Sequence, residues 1–174
     1  MIRKRFCHFC GGALTEKTVD GQRRLFCPNC GVPIYENPVP ATCLVTVDAD
    51  ERLLLVKRSV EPKKGYWCLP GGFMELRETP EAAGLRELSE ETGLAGRIDR
   101  LLGVVTNTST QYDTVLMVGY LVTSFQGAPV PGDDAAAVDW FAYPRLPEIA
   151  FESHRFFIRT YYEGEMTADS RPPA

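Results

Sequence analysis

Apolar residues in this chain fall into short blocks set apart by turn formers, and the blocks change character along its length. ATCLVTVD and RLLLVKRS, rich in Val, Leu and Thr and split by Ala49-Asp50-Glu51, predict two strands joined as a hairpin. EPKKGYW reads as a polar loop, and CLP as a short strand feeding two glycines. RIDRLLGVVTNTS and TVLMVGYLVTSF predict two longer strands with NTSTQYD between them, and AVDWFAY predicts another. Two stretches carry helical signals instead. Thr79 can cap, Pro80 suits a first helical position and Gly93 is a natural stop, so a helix is predicted over about Pro80 to Thr92 with Leu85 and Leu88 inward. In ESHRFFIRTYYEGE, Phe156, Phe157, Ile158, Tyr161 and Tyr162 form an apolar stripe. The order predicts an α/β domain whose helices cover a mixed sheet. The tail MTADSRPPA is expected to be disordered from about residue 166.

The first 36 residues do not fit that pattern. Cys7, Cys10, Cys27 and Cys30 form two Cys-x-x-Cys pairs, each followed by glycine. A two-residue gap lets both thiolates of a tight turn face one ion, and glycine lets the backbone leave the turn with positive φ. Between the pairs, Asp20-Gly21 signals a hairpin. Two knuckles and a hairpin describe a zinc ribbon, with a closed four-sulfur site whose zinc is structural. Redox or merely buried cysteines do not account for so specific a spacing. His8 reads as an exposed turn residue, and Cys43 and Cys68, in apolar runs, as buried inert thiols. In YENPVP, Pro38 and Pro40 cannot continue a central strand, so this stretch reads as a linker between a ribbon over residues 1–36 and a second domain over 37–174.

Charge narrows the partners. The net charge is −4 over 174 residues, which argues against a nucleic-acid coat. It is unevenly spread: the ribbon holds six basic against three acidic residues, the remainder thirteen against twenty. No apolar run is long enough to cross a bilayer and no secretion leader opens the chain, so a cytoplasmic protein without a membrane partner is expected.

Six glutamates fall between Glu75 and Glu91, and Glu87, Glu90 and Glu91 share one edge of the predicted helix. Like charges at this spacing repel. Spacing alone allows a solvated surface face or a seat for a divalent cation. The full pattern is more specific: Gly72, five residues, Glu78, seven residues, then Arg86-Glu87-Leu88-Ser89-Glu90-Glu91-Thr92-Gly93-Leu94. It resembles the Nudix box, G-x5-E-x7-R-E-U-x-E-E-x-G-U, at every fixed position. That resemblance implies an α/β/α sandwich over roughly residues 38–165 and a hydrolase that splits a diphosphate linked to a nucleoside. It further implies that Glu87 and Glu91 ligate Mg²⁺ or Mn²⁺, with Glu90 direct or one water away and the Gly71 carbonyl completing the set. Arg86 is expected to pair with neighbouring carboxylates such as Glu78. Arg77 departs from the family, which often has glycine there.

Family members often place another acid six residues before an aromatic position, which here marks Asp134 ahead of Trp140 as base or extra ligand. A plain polar turn, PGDD, is the alternative. The SQPWPFP-type motif of NADH-preferring members is replaced by TNTSTQYDT, which counts against an NADH enzyme. The knuckles, YENP, LLVKR, LPGGF and IAF resemble small zinc-ribbon Nudix proteins acting on FAD or ADP-ribose. A dinucleotide-like diphosphate is the expected substrate, with Tyr66, Phe73 and Tyr112 as candidate base-stacking residues. Alternatives are a dinucleoside polyphosphate hydrolase, or a Nudix-fold ligand sensor with a nucleic-acid-binding ribbon. The resemblance also suggests a homodimer.

Overall fold

The computed structural model describes residues 4–164, so the tail expected to be disordered lies outside the described residues. Residues 4–36 build a three-stranded antiparallel sheet from β1 (Thr15–Val19), β2 (Gln22–Cys27) and β3 (Val32–Ile34). Asp20 and Gly21 turn β1 into β2 with φ of 51° and 77°, a left-handed pair that matches the strand twist. The third strand adds Ile34, which packs with Cys7 and Cys27 into a small core of its own.

The rest is a three-layer sandwich. β4 (Val39–Thr46) pairs in parallel with β8 (Asp113–Gln126), which pairs antiparallel with β7 (Ala95–Ser109). β5 (Arg52–Arg58) lies between β6 (Trp67–Cys68) and β9 (Ala135–Ala142). Helix α1 (Pro80–Thr92) covers one face, and α2 (Glu152–Tyr162) the other. Alternation explains why the strands read as nearly continuous apolar runs. Cys43, Val45, Leu53 and Leu55 point into the cluster under α2, with Phe156, Phe157 and Ile158. Leu44 and Leu54 point the other way, to Leu88 of α1. A strand buried on both faces has no polar side to show.

Three expectations need correction. The blocks either side of Ala49-Asp50-Glu51 do form strands, but only a single bridge, Val47 to Leu53, joins them. Beyond the turn they diverge, because β4 takes β8 as partner while β5 takes β6 and β9. Pro40 lies inside β4, so the linker ends at Pro38. Its carbonyl still accepts from the Met74 N–H (3.2 Å), and at a strand's start the missing donor is tolerated. The long hairpin of β7 and β8 also runs farther than expected, leaving only Thr110–Tyr112 as turn. No helix among the described residues is long and apolar enough to cross a membrane.

Phe157 is wholly buried and rests on Gly119 of β8. A Cβ at Gly119 would lie 2.6 Å from Phe157 Cγ. Gly119→Ala is therefore expected to destabilise the fold by about 1–3 kcal/mol through overpacking. Urea unfolding measures it, and pairing the change with Phe157→Leu should recover part of the loss.

Candidate active site

The site is built where residues 66–74 cross from one sheet to the other. One edge of this segment is paired by backbone: Cys68 with Val56 of β5, then the Pro70 and Gly72 carbonyls accept from Leu44 and Thr42 N–H of β4 (2.9 Å each). The opposite edge meets α1 and residues around α2. The Gly71 N–H donates to Glu91 Oε2 (2.9 Å), the Phe73 carbonyl accepts from Arg86 Nη2 (3.1 Å), and the Leu69 N–H donates to His154 Nδ1 (3.0 Å). Both glycines are needed for close approach. A Cβ at Gly71, where φ is 151°, would sit 2.7 Å from Cys43 Cα, and one at Gly72 2.6 Å from Glu87 Cδ.

Helix α1 forms as the sequence implies. Thr79 Oγ1 accepts from the Ala82 N–H (3.2 Å), and Gly93 closes the helix in a left-handed conformation, its N–H donating to Ser89 O (2.8 Å). Arg77 takes φ of 73°, so the preceding turn keeps a left-handed step at a cost of about 1–2 kcal/mol for a residue with a Cβ.

Arg86 organises the acidic edge. Nε and Nη2 reach both oxygens of Glu78 (2.8 and 3.1 Å), while Nη1 donates to Glu87 Oε1 (2.9 Å) and Glu90 Oε2 (2.8 Å). With the Phe73 carbonyl, these use all five guanidinium N–H donors. Hydrogen bonding to Arg86 holds the Glu78 carboxyl below its usual range. Glu91 stands apart from the arginine. Burial raises its pKa to about 7, and the nearby Glu87 and Asp134 add to this against the opposing Gly71 N–H and Arg58. Burial likewise raises Glu87. Two desolvated carboxylates held next to glycine backbone are the donor set that a hard dication takes.

The structure brings Asp134 to this edge. Its carbonyl accepts from the Ser59 N–H (2.8 Å), and two residues earlier the Gly132 N–H donates to the Glu91 carbonyl (3.1 Å), tying the loop before β9 to the end of α1. Phe73 and Tyr112 meet edge to face, with centroids 4.8 Å apart, and both remain exposed. Tyr66 is not part of that pair; it lies on the loop before β6, with Lys63 Nζ 5.4 Å over its ring. His154 went unnoticed in the sequence, because nothing in ESHRFF signals a hydrogen bond to a backbone group 85 residues away.

The four ribbon cysteines form a second cluster. Their sulfurs all lie within 4.8 Å of one another, with Cys10 and Cys27 at 3.5 Å. A sulfur tetrahedron around a metal at about 2.3 Å has edges of about 3.8 Å, so the set can hold one ion. Backbone N–H groups of Phe9, Gly12 and Cys30 point at Cys7, Cys10 and Cys27 Sγ (3.4 Å each), as thiolates require. The hydrogen bond to Cys10 leads in pushing Cys30 up to about 12, since crowded thiols resist ionising without a cation. His8 is exposed and its ring lies tilted against Phe9, while burial pushes the Cys68 thiol up to about 12 and Cys43 higher still.

Comparison with known proteins bears on this geometry. A family model described as NUDIX domain matches residues 37–161. An ADP-ribose pyrophosphatase of Methanocaldococcus jannaschii is 37% identical over 129 residues, covering 74% of this chain and 75% of that protein. An NAD-capped RNA hydrolase, NudC, of Pseudomonas aeruginosa is 28% identical over 146 residues; the match takes in 83% of this chain but only half of that protein's length. The crystal structure of a NUDIX hydrolase from Nitrosomonas europaea superimposes with a TM-score of 0.75 at 27% identity, covering 97% of this chain and 95% of its own.

Glu91→Gln tests the electrostatic character of the edge. The amide keeps an acceptor for the Gly71 N–H and removes a buried charge, so thermal unfolding in chelator should show about 1 kcal/mol more stability. Dication-supported turnover should fall by about 100-fold or more. Lower stability in chelator would contradict this picture.

Proposed function

The chain belongs to the Nudix hydrolase family, and from that premise we propose that it cleaves the diphosphate bridge of an ADP-ribose-type substrate in a dication-dependent reaction. The observation that carries this reading is the packing of Glu87 and Glu91 against Gly72 and Gly71, with Arg86 holding Glu78, Glu87 and Glu90. In this reading Glu87, Glu90, Glu91 and the Gly71 carbonyl hold Mg²⁺ or Mn²⁺. By the alternation of the paired segment, that carbonyl lies on the same edge as the Gly71 N–H. The ion, when bound, offsets the charge of the diphosphate and makes water a better nucleophile.

The chain's own groups do the rest. Asp134 accepts the proton of the attacking water at its carboxylate as the new P–O bond forms and the bridging P–O bond breaks. Arg86 keeps Glu87 and Glu90 oriented and offsets part of their repulsion. The Phe73–Tyr112 pair, next to Gly72 along the chain, offers an exposed aromatic face to an adenine. An ADP-ribose pyrophosphatase and an NAD-capped RNA hydrolase are named for substrates that share an adenosine diphosphate joined to a second ribose. That shared group favours ADP-ribose over FAD as the leading substrate.

The test is a panel of ADP-ribose, FAD, NADH and diadenosine tetraphosphate with Mg²⁺ or Mn²⁺, following released AMP. ADP-ribose should turn over fastest. Tyr112→Ala should raise KM about tenfold with little change in kcat. Asp134→Asn should lower kcat by about 100-fold or more. Tight binding of ADP-ribose without release of AMP would instead favour a ligand sensor, and unchanged turnover in Asp134→Asn removes that residue from the reaction.

For the ribbon we propose zinc on the four cysteines, in a structural role. Four thiolates fill a tetrahedron and leave no position for water. Mercurial titration of the thiols beside a zinc-sensitive dye should release one zinc per chain. No release, or release of another metal, overturns the assignment.

A further inference from the structure

The outer edge of residues 69–73 is gripped at three positions, and only two of the grips come from the helix that bears the acids. Arg86 holds the Phe73 carbonyl and Glu91 holds the Gly71 N–H. The third lies on the other face of the sandwich, where α2 sends His154 Nδ1 to the Leu69 N–H at 3.0 Å. The approach to α2 adds a clasp just before it: the Trp67 N–H donates to the Glu148 carbonyl (3.3 Å), and the Ala150 N–H donates to the Trp67 carbonyl (2.7 Å). We propose that His154 is a positioning residue for the reaction, fixing Leu69 so that Gly71 and Gly72 sit at the register where Glu91 and Glu87 close on them.

The segment has little slack. Leu69 is fully buried and His154 is 4% exposed, so water cannot replace the imidazole as acceptor. Phe151 packs edge-on against the ring at 5.1 Å and limits its rotation. Desolvation pulls the His154 pKa down to about 3, which keeps the ring neutral, with Nδ1 as the acceptor and the proton on Nε2. Two residues farther on, Gly71 lies so close to Cys43 that it has no room to shift toward β4. Displacement at Leu69 therefore passes directly into the glycines. A helix on the far face would then contribute to the acidic site without touching substrate or ion. Hydrogen-bonding partners of the ligands themselves are commonly worth about 10–100-fold in metal affinity or activity, and His154, acting two residues of backbone away from Gly71, is expected at the lower end of that range.

The kinetic arm rests on the proposed hydrolase activity; the spectroscopic arm does not. Two isosteric changes separate positioning from simple packing. In His154→Asn the amide oxygen can stand near the Nδ1 position, whereas His154→Gln carries its polar end toward the Nε2 position. Asn should keep kcat and the Mn²⁺ concentration for half-saturation near wild type. Gln should lower kcat and raise that concentration by about tenfold, with KM for substrate little changed. In nitrogen–proton spectra of the wild-type chain, His154 should carry its proton on Nε2 and the Leu69 amide should be protected from exchange. In the Gln variant that protection should fall, and the Gly71 and Gly72 amides should shift. A proton found on Nδ1 in the wild type would overturn the proposal with no variant required. So would a Gln variant whose glycine amides and Mn²⁺ half-saturation match wild type. If the wild-type chain turns over no diphosphate, the functional reading fails while the spectra and equilibrium Mn²⁺ binding still decide the role of His154.

Discussion

Buried backbone polar groups must find partners, and residues 66–74, which cross between the two sheets and are buried at Cys68 to Pro70, show how that demand shapes the site. One edge is satisfied by strands β5 and β4. A third strand on the other edge would complete a sheet and close the space between α1 and the backbone. Past Trp67, which pairs with the backbone of Glu148 and Ala150, side chains take that place: Arg86 and Glu91 from α1, His154 from α2. An edge capped by side chains and not by a strand brings Glu91 and Glu87 up against Gly71 and Gly72. The glycines follow from the same demand, since neither has space for a Cβ between β4 and the carboxylates.

Charge is balanced by the same geometry. Glu78, Glu87 and Glu90 share one guanidinium, so three negative charges face one positive. The exposed Glu90 keeps much of its hydration, and for such surface pairs the gain is small. Glu87 and Glu91 are costlier, because burial opposes their ionisation and Arg86 reaches only the first. An edge so poorly compensated is not optimised for stability. Functional sites commonly give up stability for a poised charge, and the added repulsion from Asp134 beside Glu91 fits that trade.

Local chemistry made much of this legible in advance. The limits of α1 followed from Thr79-Pro80 and Gly93, the ribbon turn from Asp20-Gly21, and the two helix-facing stripes from periodicity. What stayed hidden was non-local. The divergence of β4 from β5 depends on which distant strand each pairs with, and a two-residue turn signal says nothing about that. Strand β3 is three residues long, too short for any alternation to register. Phe73 and Tyr112 were each visible as aromatics, but their meeting depends on the length of the β7–β8 hairpin, which ran through residues that read as loop. His154 was the least visible: a lone histidine on a mostly apolar helix face has the same local signature whether or not it reaches a backbone amide.

The chain keeps two very different donor sets apart. Soft sulfur donors are gathered in residues 7–30, around a small core that includes Cys7, Cys27 and Ile34. Hard oxygen donors line α1, held by an arginine and by glycine backbone. Softness alone would steer zinc to the thiolates and magnesium to the carboxylates. Geometry reinforces the division. The sulfurs converge from two tight turns into a closed cluster, which suits a permanently held ion. The carboxylates are spread along a turn and a half of helix, with Glu87 and Glu90 tethered to Arg86 and Glu91 to the Gly71 N–H, an arrangement that would let a phosphate oxygen share a bound ion. Two donor sets of such different softness on one chain would therefore be filled without competing, which fits the proposed division between a structural zinc and a catalytic dication.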